Sequence, residues 1–218
     1  MHGTNPIRSL KQGDGLTLDV QHIFATIQGE GPYAGMPAVF VRLGGCNLAC
    51  TFCDTEFESF KAVELNKIVS KVNELASNAP LVVLTGGEPL RQPIEKLCEE
   101  LIECGFKVQI ETNGTLYREL PPEVEIVCSP KNMGKGYFPL RSDMLARVNA
   151  LKFIISANRK DYSDVADVGQ GSDIPVYVQP MDEYDEAKNA ANLKLAMELA
   201  QQKGYRLSLQ IHKIIGVE

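Results

Sequence analysis

Short apolar, β-branched runs recur along the 218-residue chain, separated by segments of helical spacing. The runs at 38–43, 81–85, 107–111, 124–128, 151–155, 176–179 and 206–211 predict strands. Most are apolar at successive rather than alternate positions, as in strands covered on both faces of a parallel sheet. Helical periodicity predicts helices over 62–76, 94–104, 140–150 and 186–203. The last follows acidic residues and stops at Gly204, while Pro93 suits the first turn of the second helix and Gly105 its end. Strands alternating with helices imply parallel pairing and right-handed crossovers. The connections 112–123 and 156–174 look too short for a regular helix. The expected fold is therefore α/β, an incomplete, open (β/α) barrel with a mostly parallel sheet. Residues 1–18 are expected to be a flexible lead-in and 19–218 a single domain.

Polar residues interrupt this pattern just after the predicted strand ends. Five clusters do so: Thr85-Gly86-Gly87-Glu88, Glu111-Thr112-Asn113-Gly114, Ser129-Pro130-Lys131, Gln179-Pro180 and Gln210-Ile211-His212-Lys213. Loops are generally polar, but parallel strands bring all five to the C-terminal edge of the sheet, where α/β folds bind ligands.

Three of the six cysteines share one loop, Cys46-Asn47-Leu48-Ala49-Cys50-Thr51-Phe52-Cys53. Disulfide stapling fits poorly, because the chain is large and its N-terminus lacks the apolar core of a secretory leader. A structural zinc site is the other reading, and zinc takes four ligands. His22 and His212 are remote, and Cys98, Cys104 and Cys128 fall in predicted helix or strand, where they read as small buried apolar residues. Three thiolates instead suit a [4Fe–4S] cubane that leaves its fourth iron open. Gly44 and Gly45 allow the chain to turn tightly before the first ligand. A net charge of −6 argues against a broad phosphate-binding surface, so nucleic acid is not an expected partner. No apolar run reaches the ~20 residues of a membrane helix, and the protein is expected in the cytoplasm.

At these residues the chain resembles the radical S-adenosylmethionine (SAM) superfamily. That family's C-x3-C-x2-C carries an aromatic before the third cysteine, matched by Phe52, and its second hallmark is matched by Gly86-Gly87-Glu88-Pro89. Within the superfamily it is similar to the 7-carboxy-7-deazaguanine synthase branch, from about Phe24 to the C-terminus. The matching landmarks include Gln28-Gly29-Glu30-Gly31, Arg42, Cys53-Asp54-Thr55, Glu111-Thr112-Asn113-Gly114-Thr115, Leu151-Lys152-Phe153 and Gln210-Ile211-His212-Lys213.

The resemblance implies ring contraction of 6-carboxy-5,6,7,8-tetrahydropterin with loss of ammonia, in queuosine and deazapurine biosynthesis. It implies a cluster on Cys46, Cys50 and Cys53, and Mg2+ at Thr55. SAM would lie against Phe52, Asp54, Gly86, Gly87, Glu88, Ser129, Pro130, Lys131, Gln179, Pro180, Met181 and Asp182. The substrate would meet Ile27, Gln28, Gly29, Arg42, Thr85 and Glu218, with Arg42 on its carboxylate, and Glu111 or His212 would move protons. An electron donor such as flavodoxin or ferredoxin, and a homodimer, are implied as well. A glycyl-radical activase shares the cluster loop and the compact size, but the Gln28–Gly31 stretch and His212 match the pterin branch.

Overall fold

In the computed structural model, residues 5–132, 134, 136–137 and 139–218 are described. They form one nine-stranded sheet: β1 (Thr17–Ile27), β2 (Pro37–Leu43), β3 (Lys61–Glu64), β4 (Leu81–Gly86), β5 (Lys107–Thr112), β6 (Glu125–Cys128), β7 (Ala150–Ile155), β8 (Val176–Pro180) and β9 (Arg206–Leu207). The order is β3-β1-β2-β4-β5-β6-β7-β8-β9. From β2 to β9 every pairing is parallel, whereas β1 runs antiparallel to both β2 and β3. The helices are α1 (Leu65–Ala76), α2 (Glu95–Glu103), α3 (Ser142–Arg147), α4 (Glu186–Lys203) and α5 (Ile211–Ile215). The sheet is an open barrel.

Side-chain alternation divides each strand between two environments. Val39, Val41, Val82, Leu84, Val108, Ile110, Leu151 and Phe153 point outward into one core shared with Ile68 and Val72 of α1, Leu97 and Leu101 of α2, and Ala196 of α4. The inner face is apolar at the strand starts, where Ala38, Leu81 and Val83 pack with Phe40, Met36 and Tyr33. Towards the strand ends the inner positions become Arg42, Thr85, Glu111, Lys152 and Gln179, with Arg42 directly opposite Thr85. Strands that look uniformly apolar at their centres thus hide a polar inner rim.

Several expectations change. β1 goes unseen in the apolar-run pattern because it alternates, as a strand with one wetter face does. Residues 62–64, expected in the first helix, lie instead in β3 and pair with Thr17–Asp19, and α1 begins only at Leu65. Pro93 lies outside α2, which starts at Glu95. The 140–150 helix shortens to Ser142–Arg147, because Asn149 caps the Ile126 main chain and Ala150 opens β7. The last predicted strand shrinks to Arg206–Leu207, and Ile211 onward is helical. Cys98 and Cys128 are buried, but Cys104 is exposed. The expected domain start at residue 19 falls inside β1, and residues 5–18 carry specific contacts described below. Residues 1–4 lie outside the described residues. No helix among the described residues is long and apolar enough to cross a membrane.

Phe153 is the largest fully buried side chain of the outer layer. Phe153→Ala should cost about 3–5 kcal/mol, read as a lower urea midpoint at unchanged slope. A loss below about 1 kcal/mol would show that the layer repacks around the gap.

Candidate active site at the strand ends

The cysteine loop leaves the end of β2, and Gly86-Gly87-Glu88-Pro89 leaves the end of the adjacent β4. Their main chains interlock: Gly87 N–H donates to the Leu43 carbonyl at 3.1 Å and Glu88 N–H to the Gly45 carbonyl at 3.0 Å. A Cβ at Gly86 would strike the Leu43 main chain, and one at Gly87 the Gly45 carbonyl. The double glycine therefore serves first to seat the cluster loop, where sequence reading assigned its space to SAM. The Glu88 side chain is fully buried and accepts from Leu90 N–H, Asn113 N–H and the Thr112 hydroxyl. It braces the floor of the site from below. Just beyond it, Arg91 donates to the Gly44 carbonyl and to Asp19, and Gln92 clasps both the N–H and the carbonyl of Asp19.

One cavity opens above this floor. Cys46, Cys50, Phe52, Cys53, Asp54 and Thr55 form one wall. Thr85, Gly86 and Gly87, then Glu111, Ser129, Lys131 and Lys152, and finally Gln179, Pro180, Met181 and Asp182 form the others. Residues from all five strand-end clusters line it, Gln210 representing the last. Lys131 curls back onto the carbonyl and hydroxyl of Ser129 at 2.9 and 2.6 Å, and burial pushes its pKa down.

A buried charge cluster that the sequence reading did not single out lies on the inner face. Lys152 is paired with Glu30 and stands 3.6 Å from Glu111. Glu111 also accepts from Gln28, Gln109 and Thr85 at 3.3–3.4 Å, and Glu30 accepts from Gln210 at 2.9 Å. Burial opposes the charge on Glu30, but Lys152 prevails and holds its carboxyl well below the usual range. Glu30 and Lys152 both sit in motifs noted from sequence, but nothing in the spacing reveals that they meet across the barrel.

Arg42 differs from Lys152 in having no carboxylate partner among the described residues. Its guanidinium lies 5.2 Å from the Phe24 ring centroid, and its Nε is buried without a hydrogen-bond partner among the described residues. His212 of α5 packs on Gly29, where a Cβ would collide with its ring, and Ile211 N–H donates to the Gly29 carbonyl at 3.1 Å. Burial lowers the His212 pKa, favouring the neutral ring. Neither His212, Gln28 nor Arg42 lines the cavity itself, although Gln28 reaches Glu111. Pro130 and Ile27 flank the site, and neither lines the cavity. Glu218 does not line the cavity either: it accepts from the Thr26 hydroxyl through its main-chain oxygen at 2.5 Å, and its side chain meets His22, the register partner of Arg42, at 3.0 Å. Lys213, named from sequence only as a member of the last cluster, spans the cavity mouth between Asp182 at 2.8 Å and Asp54 at 3.4 Å.

Residues 40–154 match the model of the radical SAM superfamily. Over its whole length the chain is 56% identical to a 7-carboxy-7-deazaguanine synthase from Rickettsia prowazekii, covering 96% of that protein. It is 40% identical to one from Rhodospirillum rubrum, with full coverage of both chains. The chain belongs to the 7-carboxy-7-deazaguanine synthase family. The crystal structure of QueE from Escherichia coli superposes with a TM-score of 0.73 at 25% identity, covering 89% of this chain and 94% of that one. As a 7-carboxy-7-deazaguanine synthase, the chain is a radical SAM lyase of deazapurine and queuosine formation that works with a [4Fe–4S] cluster and SAM.

The residues present fit that cluster. Each corner of a cubane takes one thiolate, so the group asks for separate thiols around one space, and Cys46, Cys50 and Cys53 border the same cavity. Among the described residues no three of His, Cys, Asp or Glu converge on a single ion position. Burial raises all three thiols, Cys46 up to about 12, so a strongly attracting cation must displace their protons.

Gly87→Ala should therefore strip the site of its cluster. Anaerobic reconstitution should give the parent protein about four irons per chain and the variant well under half, with the far-UV circular dichroism unchanged. Full iron content in Gly87→Ala would overturn the interlocked-loop account. The Glu30 carboxylate also makes stability pH-dependent. Its folded pKa is depressed, so its contribution is present above the unfolded value of about 4.3 and is lost as pH falls below it. Urea midpoints from pH 6 to pH 3 should fall more steeply in the parent than in Glu30→Gln, and equal slopes would refute the assignment.

Proposed function

We propose that the chain converts 6-carboxy-5,6,7,8-tetrahydropterin to 7-carboxy-7-deazaguanine with loss of ammonia, at the inner rim of the barrel. The observation that carries this reading is Arg42. A permanent cation on the inner face, with neither a carboxylate nor a partner for its buried Nε among the described residues, is suited to a substrate carboxylate. Its neighbours supply the rest of a polar, flat recognition surface. Thr85 stands opposite it in register, and Glu111 beyond Thr85 offers a carboxylate to the N–H edge of a pterin. The main chain at Ile27, Gln28 and Gly29 would read the same edge.

When bound, a cluster held by Cys46, Cys50 and Cys53 together with SAM would supply the radical, hydrogen-abstracting chemistry. The chain's own part is to hold, orient and shield. Phe52, Asp54, Gly87, Ser129, Lys131, Gln179, Pro180, Met181 and Asp182 would receive SAM, and Glu88 would act by fixing the loop that meets it. His212, kept neutral by burial, can accept a proton during the rearrangement, and Glu111 is the alternative acceptor. Thr55, whose hydroxyl lies 3.2 Å from Asp54, would offer oxygen to a Mg2+ ion. Lys213 and the C-terminal tail, including Glu218, would limit water entry at the mouth.

Residues 19–218 would work as one domain, with the preceding segment docked on it. An oxygen-sensitive cluster calls for a reducing compartment, which favours the cytoplasm, and a one-electron donor such as flavodoxin or ferredoxin. The exposed apolar side chains of Leu207, Ile214, Ile215 and Val217 support a homodimer.

Product should be detected by mass spectrometry after anaerobic incubation with the carboxypterin, SAM and a reductant. Arg42→Ala should lower kcat/KM by a factor of roughly 30 to several thousand, the cost of a lost charged partner in a desolvated site, while substrate-free SAM cleavage stays near the parent rate. Equal loss of both would place Arg42 in support of the cluster loop instead. Turnover by the parent that is indifferent to Mg2+ would remove the role given to Thr55.

A further inference from the structure

The cluster loop is supported from two sides, and only one is the double-glycine turn. On the other lies the N-terminal segment. Ile7 forms a parallel bridge with Cys46, and Arg8 N–H donates to the Cys46 carbonyl at 2.7 Å. The Arg8 guanidinium grips Glu58 through Nε and Nη2 at 3.1 and 2.6 Å, and it lies 5.7 Å from the centre of the Phe60 ring. That ring in turn occupies the space a Cβ would take at Gly44. The segment is anchored further on: Arg91 donates to the Ser9 carbonyl, Lys11 N–H to the Arg91 carbonyl, and Arg118 to the Lys11 carbonyl. At its start, Asn5 donates from its side-chain amide to the Thr55 carbonyl at 3.2 Å and lines the same cavity as the cysteines.

We propose that residues 5–11 are a working part of the active site, a strap that holds the cluster loop, within which Asn5 positions Thr55. The reasoning starts from the loop itself. Between Asn47 and Phe60 it has no helix or strand of its own and only local turns, at Cys50–Cys53 and around Glu56, so its placement depends on contacts made by neighbours. The main-chain bond to Cys46 fixes the first ligand, and the Arg8–Glu58 pair fixes the far end of the loop. Asn5 fixes the carbonyl of Thr55, two residues after the last ligand, and thereby aims the Thr55 hydroxyl. Every one of these contacts comes from a segment that composition alone reads as a lead-in. The strap also covers one flank of the loop, so it would slow the approach of oxygen and water to the cluster.

The proposal rests on the cluster being held by this loop, which the iron content of the parent establishes first. Arg8→Pro deletes the N–H given to Cys46, whereas Arg8→Ala keeps it. After anaerobic reconstitution, cluster loss is followed as the decay of visible absorbance in air. Arg8→Pro should bleach about fivefold faster than the parent, the factor carried by one net hydrogen bond, with unchanged circular dichroism, and Arg8→Ala should fall between the two. Bleaching of Arg8→Pro at the parent rate would overturn the strap. Asn5→Ala leaves the main chain intact, so it stays readable even where Arg8→Pro does not fold. It should raise the KM for the pterin about fivefold, again the weight of one hydrogen bond, with kcat and iron content near the parent. Asn5→Asp, which keeps the size but has no amide to donate, should match it. Parent KM values in both Asn5 variants would overturn the positioning of Thr55. Absence of product from the parent would count against the reaction assigned above, and the bleaching comparison would still judge the strap.

Discussion

The site depends on a main-chain constraint between two turns some forty residues apart in sequence. Parallel pairing of β2 with β4 does not stop where the strands do. It runs on through Gly87 to Leu43 and Glu88 to Gly45, in a space that no Cβ can enter. Because the strands are adjacent and parallel, the first thiolate and the turn beneath the cavity are delivered to the same edge by the same hydrogen-bond ladder. Arg91 and Gln92 extend the lock to β1 through Asp19 and to the loop through Gly44. The cysteine loop and the Gly-Gly-Glu-Pro turn are therefore two halves of one object.

The inner face solves a different problem, that of holding charge inside a barrel. Lys152 is nearly buried, and its cost of desolvation is met by two carboxylates rather than one. Glu30 is firmly engaged by it, whereas Glu111 is held more loosely by a fan of amide and hydroxyl donors. That leaves Glu111 able to exchange a partner for a ligand without stranding a buried charge. Arg42 has the opposite design: its guanidinium lies by an aromatic face, which stabilises a cation but makes no claim on its hydrogen-bond donors.

What was legible in the sequence follows from this construction. The parallel strands announce themselves because both faces are covered, and the strand-end clusters because polarity breaks an apolar run. β1 was not legible, since its half-covered alternation over 17–27 resembles an ordinary polar stretch, and neither was β3, whose four residues gain meaning only from pairing. The C-terminal residues look strand-like in composition, yet Gly216 in a left-handed turn closes them as a helix. Cysteine spacing pointed to the cluster without help from the fold. The partners of Lys152, and the contacts of Asn5 and Arg8, are tertiary accidents of adjacency that no local periodicity encodes.

The open barrel raises the question of what fills the gap beyond β9, a strand of only two residues. The answer is α5 and the residues around it, and the bonding is polar throughout. Ile211 reaches Gly29, Gln210 reaches Glu30, Ser208 bridges Gly31 and Gln179, and the terminal Glu218 reaches the His22 and Thr26 side chains of β1. Lys213 carries the closure across the mouth to Asp182 and Asp54, and its pull helps bring Asp182 down to about 2. A ninth full strand would seal this side with a ladder of main-chain bonds and a continuous apolar face. Side-chain contacts of this kind are individually weak and at the rim partly wet, so they can part and re-form. An active site that must admit a polar substrate and then exclude water gains from being closed on its last side by contacts that are easily broken.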